Sequence, residues 1–244
     1  MLKRYTYLWA GMGLLTLATS CAGSYTPIRP DRIATYQASA ANAPVDFAYQ
    51  FDALRLNGRN KKYRKKEAKK GYHVTAVRVT NRTGRELNFS RDLVLQYGDR
   101  PVTPVAATAA AQDLKQGVFI YLLYLPLNFT LAATTDIRTG VTTGGTFLPT
   151  GPLIAGGNIL GASLANGNLR KEFETFDLTN RTIKPGETVY GILSLRETAV
   201  APMRLELRPG TESTYVPATA PAAPVVLPAP MPAPPAATPQ RGDY

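Results

Sequence analysis

Apolar and polar residues alternate along several short stretches of the chain, and this period of two predicts extended strands. Val45, Phe47, Tyr49 and Phe51 fall on one side of the first. Val74, Ala76, Val77 and Val79 form a second, which runs into the turn signal Asn81-Arg82-Thr83-Gly84. Leu87 and Phe89 begin a third, and Leu93, Leu95 and Tyr97 alternate in a fourth that stops at Gly98-Asp99. After a long gap, Ile183 leads into Lys184-Pro185-Gly186-Glu187; then Val189, Gly191, Leu193 and Leu195 alternate, followed by Met203, Leu205 and Leu207. Short strands broken by such turns predict a mainly β fold, an immunoglobulin-like antiparallel β-sandwich. The echo of Asn-Arg-Thr at 81–83 and 180–182 reads as equivalent turn chemistry rather than as a repeat.

The gap at 101–178 predicts an α insertion into that sandwich. Residues 105–116 are Ala-rich and helix-permissive. Two uncharged runs follow, 116–135 and the Gly-rich 139–169, separated by Asp136 and Arg138. Their cores, 117–134 and 148–166, predict an apolar helical hairpin, in which Gly157, Gly161 and Ala165 have the spacing that lets helices approach closely. Such a hairpin either packs on the sandwich, enters a bilayer or joins other copies. Pro126, Asn128, Gly151-Pro152 and Gly156-Gly157 count against a clean membrane span. Residues 168–178 then read as an amphipathic helix with Leu169, Phe173, Phe176 and Leu178 toward one face.

The ends lack periodicity and carry a different signal. Lys3 and Arg4, an apolar stretch from Leu8 to Leu17, and Ala18-Thr19-Ser20 make residues 1–20 an export signal. The apolar stretch is shorter than the about 20 residues a spanning helix needs. Residues 21–43, mostly Ala, Ser, Thr, Pro and Asn, read as a flexible tether to a domain at 44–209. Residues 210–244 are dominated by Pro and Ala and predict a disordered, polyproline-like tail.

Cys21 is the only cysteine, which excludes an internal disulfide and a zinc site built from thiolates. Following Ala18-Thr19-Ser20, it resembles the lipobox of bacterial lipoproteins, with Ala18 where Leu is commonest. That resemblance implies a signal cut before Cys21 and acyl chains, palmitate among them, attached to it. Several chains make such an anchor durable where one would not. Ala22 is not acidic, and in that family this implies the outer membrane, facing the periplasm.

The net charge is +11, and the mature chain keeps +9 once Lys3 and Arg4 leave with the signal. Arg59, Lys61, Lys62, Arg64, Lys65, Lys66, Lys69 and Lys70, offset by Glu67, supply +7 of it in one loop between strands. Such a patch suits anionic lipid headgroups, an anionic envelope polymer or a protein partner, and equally a solvated loop. Export argues against nucleic acid. His73, the only histidine, reads as structural, and the Gly-rich stretch matches neither nucleotide-binding fingerprint. No catalytic set, metal site or cofactor is expected.

Lipobox, tether, β domain, apolar insertion and Pro-Ala tail together resemble uncharacterised envelope lipoproteins of the Bacteroidota, as do Asn168–Leu178 and Thr182-Ile183-Lys184-Pro185-Gly186-Glu187-Thr188. The resemblance implies no activity. The expected function is a non-catalytic, lipid-anchored envelope protein that binds an anionic or protein partner through its β domain and basic loop. The alternative is a membrane-inserting or self-associating component that acts through 117–166.

Overall fold

In a computed structural model, residues 22–38, 43–131, 134–197 and 199–210 are described. Among the described residues the fold is mixed, ~33% helical and 30% strand, with several small antiparallel sheets and no closed barrel. The larger sheet runs in the order β1 (Gln37–Ala38), β2 (Val45–Gln50), β3 (Tyr72–Asn81) and β12 (Thr188–Arg196), all neighbours antiparallel. A second sheet joins β5 (Leu93–Tyr97) to β6 (Arg100–Val102) on one side and β13 (Met203–Leu207) on the other. β4 (Leu87–Asn88) pairs with β11 (Thr182–Ile183).

The alternation read from sequence sets which side chains are buried. Phe47, Tyr49, Val77, Val79, Leu193 and Leu195 of the larger sheet share one buried cluster with Leu93, Leu95, Tyr97, Met203 and Leu205 of the second. Cross-strand pairing aligns the apolar positions, with Leu95 opposite Leu205 and Tyr97 opposite Met203. Fully burying each such side chain stabilises the fold by about 1.5–3 kcal/mol.

β3 breaks the simple alternation, because Tyr72, Val74 and Ala76 on its other face are buried as well. They belong to a second cluster with Tyr63, Ala110, Leu114, Leu169 and Phe173. The helices supply it: α1 (Lys61–Lys70), α2 (Ala107–Leu114) and α3 (Thr150–Thr175). α2 buries Ala107, Ala110, Ala111 and Leu114, one face at helical spacing. The larger sheet is thus covered on both faces, and the insertion is a layer of the core rather than an interruption.

Three expectations need correction. The basic run is helix α1, not a loop: Tyr63 and Glu67, four residues apart, turn inward and Gly71 ends the helix at φ 65°. The expected helical hairpin is half a hairpin. Its first arm is a short 3-10 helix, Phe119–Tyr124, followed by a ribbon in which β7 (Phe129–Leu131) pairs with β10 (Thr146–Leu148) and β8 (Thr134–Thr135) with β9 (Thr142–Thr143). Its second arm continues through the expected amphipathic helix as the single 26-residue α3. The Asn-Arg-Thr echoes also differ. Asn81 is buried, donating to the carbonyls of Arg85 and Ile183, whereas Asn180 occupies a left-handed turn at φ 57°.

Candidate functional site

Within the region expected to be a tether, residues 23–29 form a strap fastened to the helical layer and to the loop before α1. Gln116 accepts from the Gly23 N–H at 3.1 Å and donates back to the Gly23 carbonyl at 2.6 Å. Asn60 makes the same two-way pairing with the Thr26 backbone, both bonds at 2.8 Å. Asn57 donates to the Pro27 carbonyl. Gln116 is itself held by Asn166 of α3, which accepts from its N–H at 2.7 Å and donates to its carbonyl at 3.0 Å. Tyr25 and Ile28 are buried in the second cluster.

Glu172 of α3 is the central fastening. Its carboxylate accepts from the Tyr25 hydroxyl, from the Ile28 N–H at 3.0 Å and from the Arg29 N–H at 2.8 Å. Charge-assisted bonds of this kind are the stronger ones, and here they satisfy a buried carboxylate. Burial, then the Glu172 charge, push the Tyr25 hydroxyl far above the usual phenol range, so it remains a donor.

Ala22 rests on α3 at Gly161. A Cβ added to Gly161 would lie 3.3 Å from that of Ala22, a tight contact that a shift of a few tenths of an ångström would relieve. Cys21 lies outside the described residues, as do the export signal and the Pro-Ala tail.

α3 has an unusual pair of faces. Gly151, Ala155, Asn158, Ala162, Ala165, Leu169 and Phe173 are buried at spacings of three and four. On the opposite side stand Leu153, Leu160 and Leu164, about 60% exposed each. Between 150 and 169 the helix carries no charge; Arg170, Lys171 and Glu174 follow on its exposed side. A soluble helix normally places polar residues opposite its buried stripe.

The 3-10 helix packs on the buried side of α3 and carries exposed apolar residues of its own. Its fit to the start of α3 requires Gly151, where a Cβ would overlap the carbonyl oxygens of Tyr124 and Leu125. Phe119 is 80% exposed, Leu123 70% and Ile137 at the ribbon tip 98%, and Ile120, Phe129 and Phe147 are exposed as well. Among the described residues, no helix is long and apolar enough to cross a membrane.

The basic helix adjoins both features. Lys62 donates to the Tyr121 hydroxyl at 2.7 Å, with its ammonium 5.1 Å from that ring, and its stem lies against Gly23. Of the other predicted basic residues, Lys61, Lys65, Lys69 and Lys70 are exposed, whereas Arg64 and Lys66 are half-buried. Lys70 pairs with Asp113 at 3.2 Å. Arg59 is exposed ahead of the helix. On the inner face, burial pushes Glu67 up to about 7, although the Val74 N–H that it accepts at 2.8 Å lowers it.

The predicted helix-packing residues do not act together. Gly157 faces open space, Gly161 faces Ala22, and Ala165 is buried in the second cluster. The small residue that the packing needs most, Gly151, shows no signal in sequence beyond its neighbour Pro152. His73 is half-buried in β3 opposite Leu195. Among the described residues, no three of His, Cys, Asp and Glu come together as a metal site would require. A groove of about 460 Å³ runs beside the strap, walled by Arg29, Arg32, Gln50 and Asn57. Its lining holds no carboxylate, thiol or imidazole.

No protein-family model matches the chain, and no curated protein or solved structure matches it either.

Proposed function

We propose that this chain is a non-catalytic, lipid-anchored protein of the bacterial cell envelope, held at the periplasmic face of the outer membrane through acylated Cys21. Its two main sheets stack as an immunoglobulin-like sandwich, and the exposed lysines of α1 meet an anionic partner in the envelope. One observation carries the reading: the residues after Cys21 are fastened to the domain by Gln116, Asn60 and Glu172. A segment fastened to the domain at Gly23, Thr26, Ile28 and Arg29, shortly after the sole cysteine, suits attachment through that cysteine.

Acyl labelling of cells tests it. Labelled palmitate should enter the wild-type chain and be absent from Cys21→Ala, and the mass of the N-terminal peptide should show the acyl groups. A wild-type chain carrying no acyl mass on Cys21 would overturn the anchor. Retention of the chain on dextran sulfate, lost in the triple variant Lys61→Glu, Lys65→Glu, Lys69→Glu, tests the anionic partner. Equal retention of both would remove α1 from the binding surface.

A further inference from the structure

We infer that the groove beside the strap is a binding site for a carboxylate carried on a short apolar body. Arg29 and Arg32 take the anion, and Ile28, Ile33 and Leu56 take the body. The inference stands apart from the lipid anchor and from the lysines of α1.

The groove lies between residues 27–35, Gln50 at the end of β2, and Leu56 and Asn57 just after the 3-10 turn Ala53–Arg55. Its volume of about 460 Å³ falls within the range of clefts that hold small ligands. Two guanidinium groups enter a lining that has no acid to neutralise them. Among the described residues no carboxylate pairs with Arg29, and Arg32 has only its neighbour Asp31, at 3.8 Å, while its side chain stays 70% exposed. An ion pair so open to water is weak, so both cations can turn to a ligand.

The arginines alone would suit any anion, and the rest of the lining narrows the choice. Ile28, Ile33, Ala34 and Leu56 are apolar, and a bare inorganic anion would leave them facing water. The planar fork of Arg matches the two oxygens of a carboxylate, and the amides of Gln50 and Asn57 add neutral donors and acceptors along the wall. The complementary ligand is anionic at one end and apolar beyond it.

The backbone around the groove is fixed before any ligand arrives. Arg29 is left-handed at φ 50°, and so is Asp52, at φ 54°, where the turn that carries Leu56 and Asn57 begins. Non-glycine residues rarely adopt this conformation, and where they are held in it they cluster at ligand sites. Arg29 is held from both sides: its N–H donates to Glu172 at 2.8 Å, and its carbonyl accepts from the Arg32 N–H at 2.9 Å. The two arginines therefore stand on one tight turn. Asn57 donates to the Pro27 carbonyl and ties the two walls together. A site ordered in advance loses less freedom on binding.

Amide NMR of the isotope-labelled full chain tests the site. The probes are hexanoate, N-acetyl-leucyl-leucine, the C-terminal amide of that dipeptide, and inorganic phosphate. Hexanoate should shift the amides of Arg29, Ile33 and Asn57 with a Kd on the order of 1 mM. Arg29→Gln and Arg32→Gln should each weaken it about threefold, and together about tenfold. Arg29→Gln keeps the backbone N–H that Glu172 holds, so the strap stays in place. Arg204→Gln, exposed on β13, should bind as the parent does.

The acetylated dipeptide binding more tightly than hexanoate would assign the carboxylate to a peptide C-terminus, and equal binding would assign it to a free organic acid; either supports the site. The dipeptide amide binding as well as the acid would overturn the anion. Inorganic phosphate binding as well as hexanoate would overturn the apolar body. Unmoved amides at about 20 mM hexanoate, or undiminished binding in the double variant, would overturn the site. None of these readouts touches Cys21 or the lysines of α1, so such a failure is distinct from failure of the anchor or of the α1 surface.

Discussion

Gly23 and Gln116, 93 positions apart, exchange hydrogen bonds in both directions, at 3.1 Å and 2.6 Å. The pairing copies a strand-to-strand bridge with a side-chain amide in place of a backbone. Asn60 with Thr26 and Asn166 with Gln116 repeat the device. A segment with few apolar side chains is thereby ordered through its backbone, the part of it that composition does not describe.

Replacing Glu172 by Ala should release the strap. It leaves the Tyr25 hydroxyl, the buried Ile28 N–H and the part-buried Arg29 N–H without this partner, at about 1–3 kcal/mol each where water cannot reach them. Because the strap can lift away, we expect a net loss of about 2–4 kcal/mol. Hydrogen exchange at Ile28 and Arg29 should rise in step with it. Unchanged protection at those two amides would mean that the carboxylate fastens nothing.

Two glycines of the uncharged part of α3, Gly151 and Gly157, should respond oppositely to Ala. Gly157→Ala meets open space and gains helix propensity, so it should stabilise by about 0.5–1 kcal/mol. Gly151→Ala drives a methyl into the carbonyls of Tyr124 and Leu125, and should destabilise by more than about 2 kcal/mol or displace the 3-10 helix. Urea melts of the two variants give the comparison directly.

Glu67 sets a pH dependence whose sign is opposite to that of an ordinary ion-paired carboxylate. Its folded-state value, raised to about 7 chiefly by burial, exceeds that of the unfolded chain, so the native state holds the proton more tightly. Its contribution favours folding below the usual carboxylate range and is lost as pH rises through about 7, by up to about 3 kcal/mol. In Glu67→Gln this slope should be missing from a plot of melting temperature against pH between about 4 and 8. A variant that keeps the parent's slope over that window would assign the dependence to another group.

Leu160→Ser combined with Leu164→Ser should leave stability within about 0.5 kcal/mol, because both side chains are largely exposed. The same pair in a Cys21→Ser background should remain in solution where the parent background aggregates. A large fall in melting temperature would show that these leucines are buried in the working protein.

The strands were legible because their side chains obey a local period. Leu93, Leu95 and Tyr97 face Leu207, Leu205 and Met203 across β5 and β13, and each set alternates within five residues of sequence. The Ala-rich stretch before Gln116 was equally plain, and it is α2. The basic run hid its helix because eight cations obscure the two residues, Tyr63 and Glu67, that set its inner face. α3 looked broken because glycines lower helix propensity, yet its buried alanine stripe outweighs that cost. The strap left no local trace at all. Tyr25 and Ile28 are only two apolar anchors, and the partners of 23–29 lie from 30 to 147 residues away.

If Cys21 holds the domain at a membrane as proposed, the strap also decides how the domain searches its surroundings. A flexible linker of the 22 residues before Pro44 would let the domain roam over a radius of about 25 Å, meeting neighbours in any orientation. Fastened at Gly23, Thr26 and Glu172, the domain has no such capture radius. Every copy would present the same side to the periplasm at the same height, so an encounter between two molecules in one leaflet becomes a collision in two dimensions with orientation already settled.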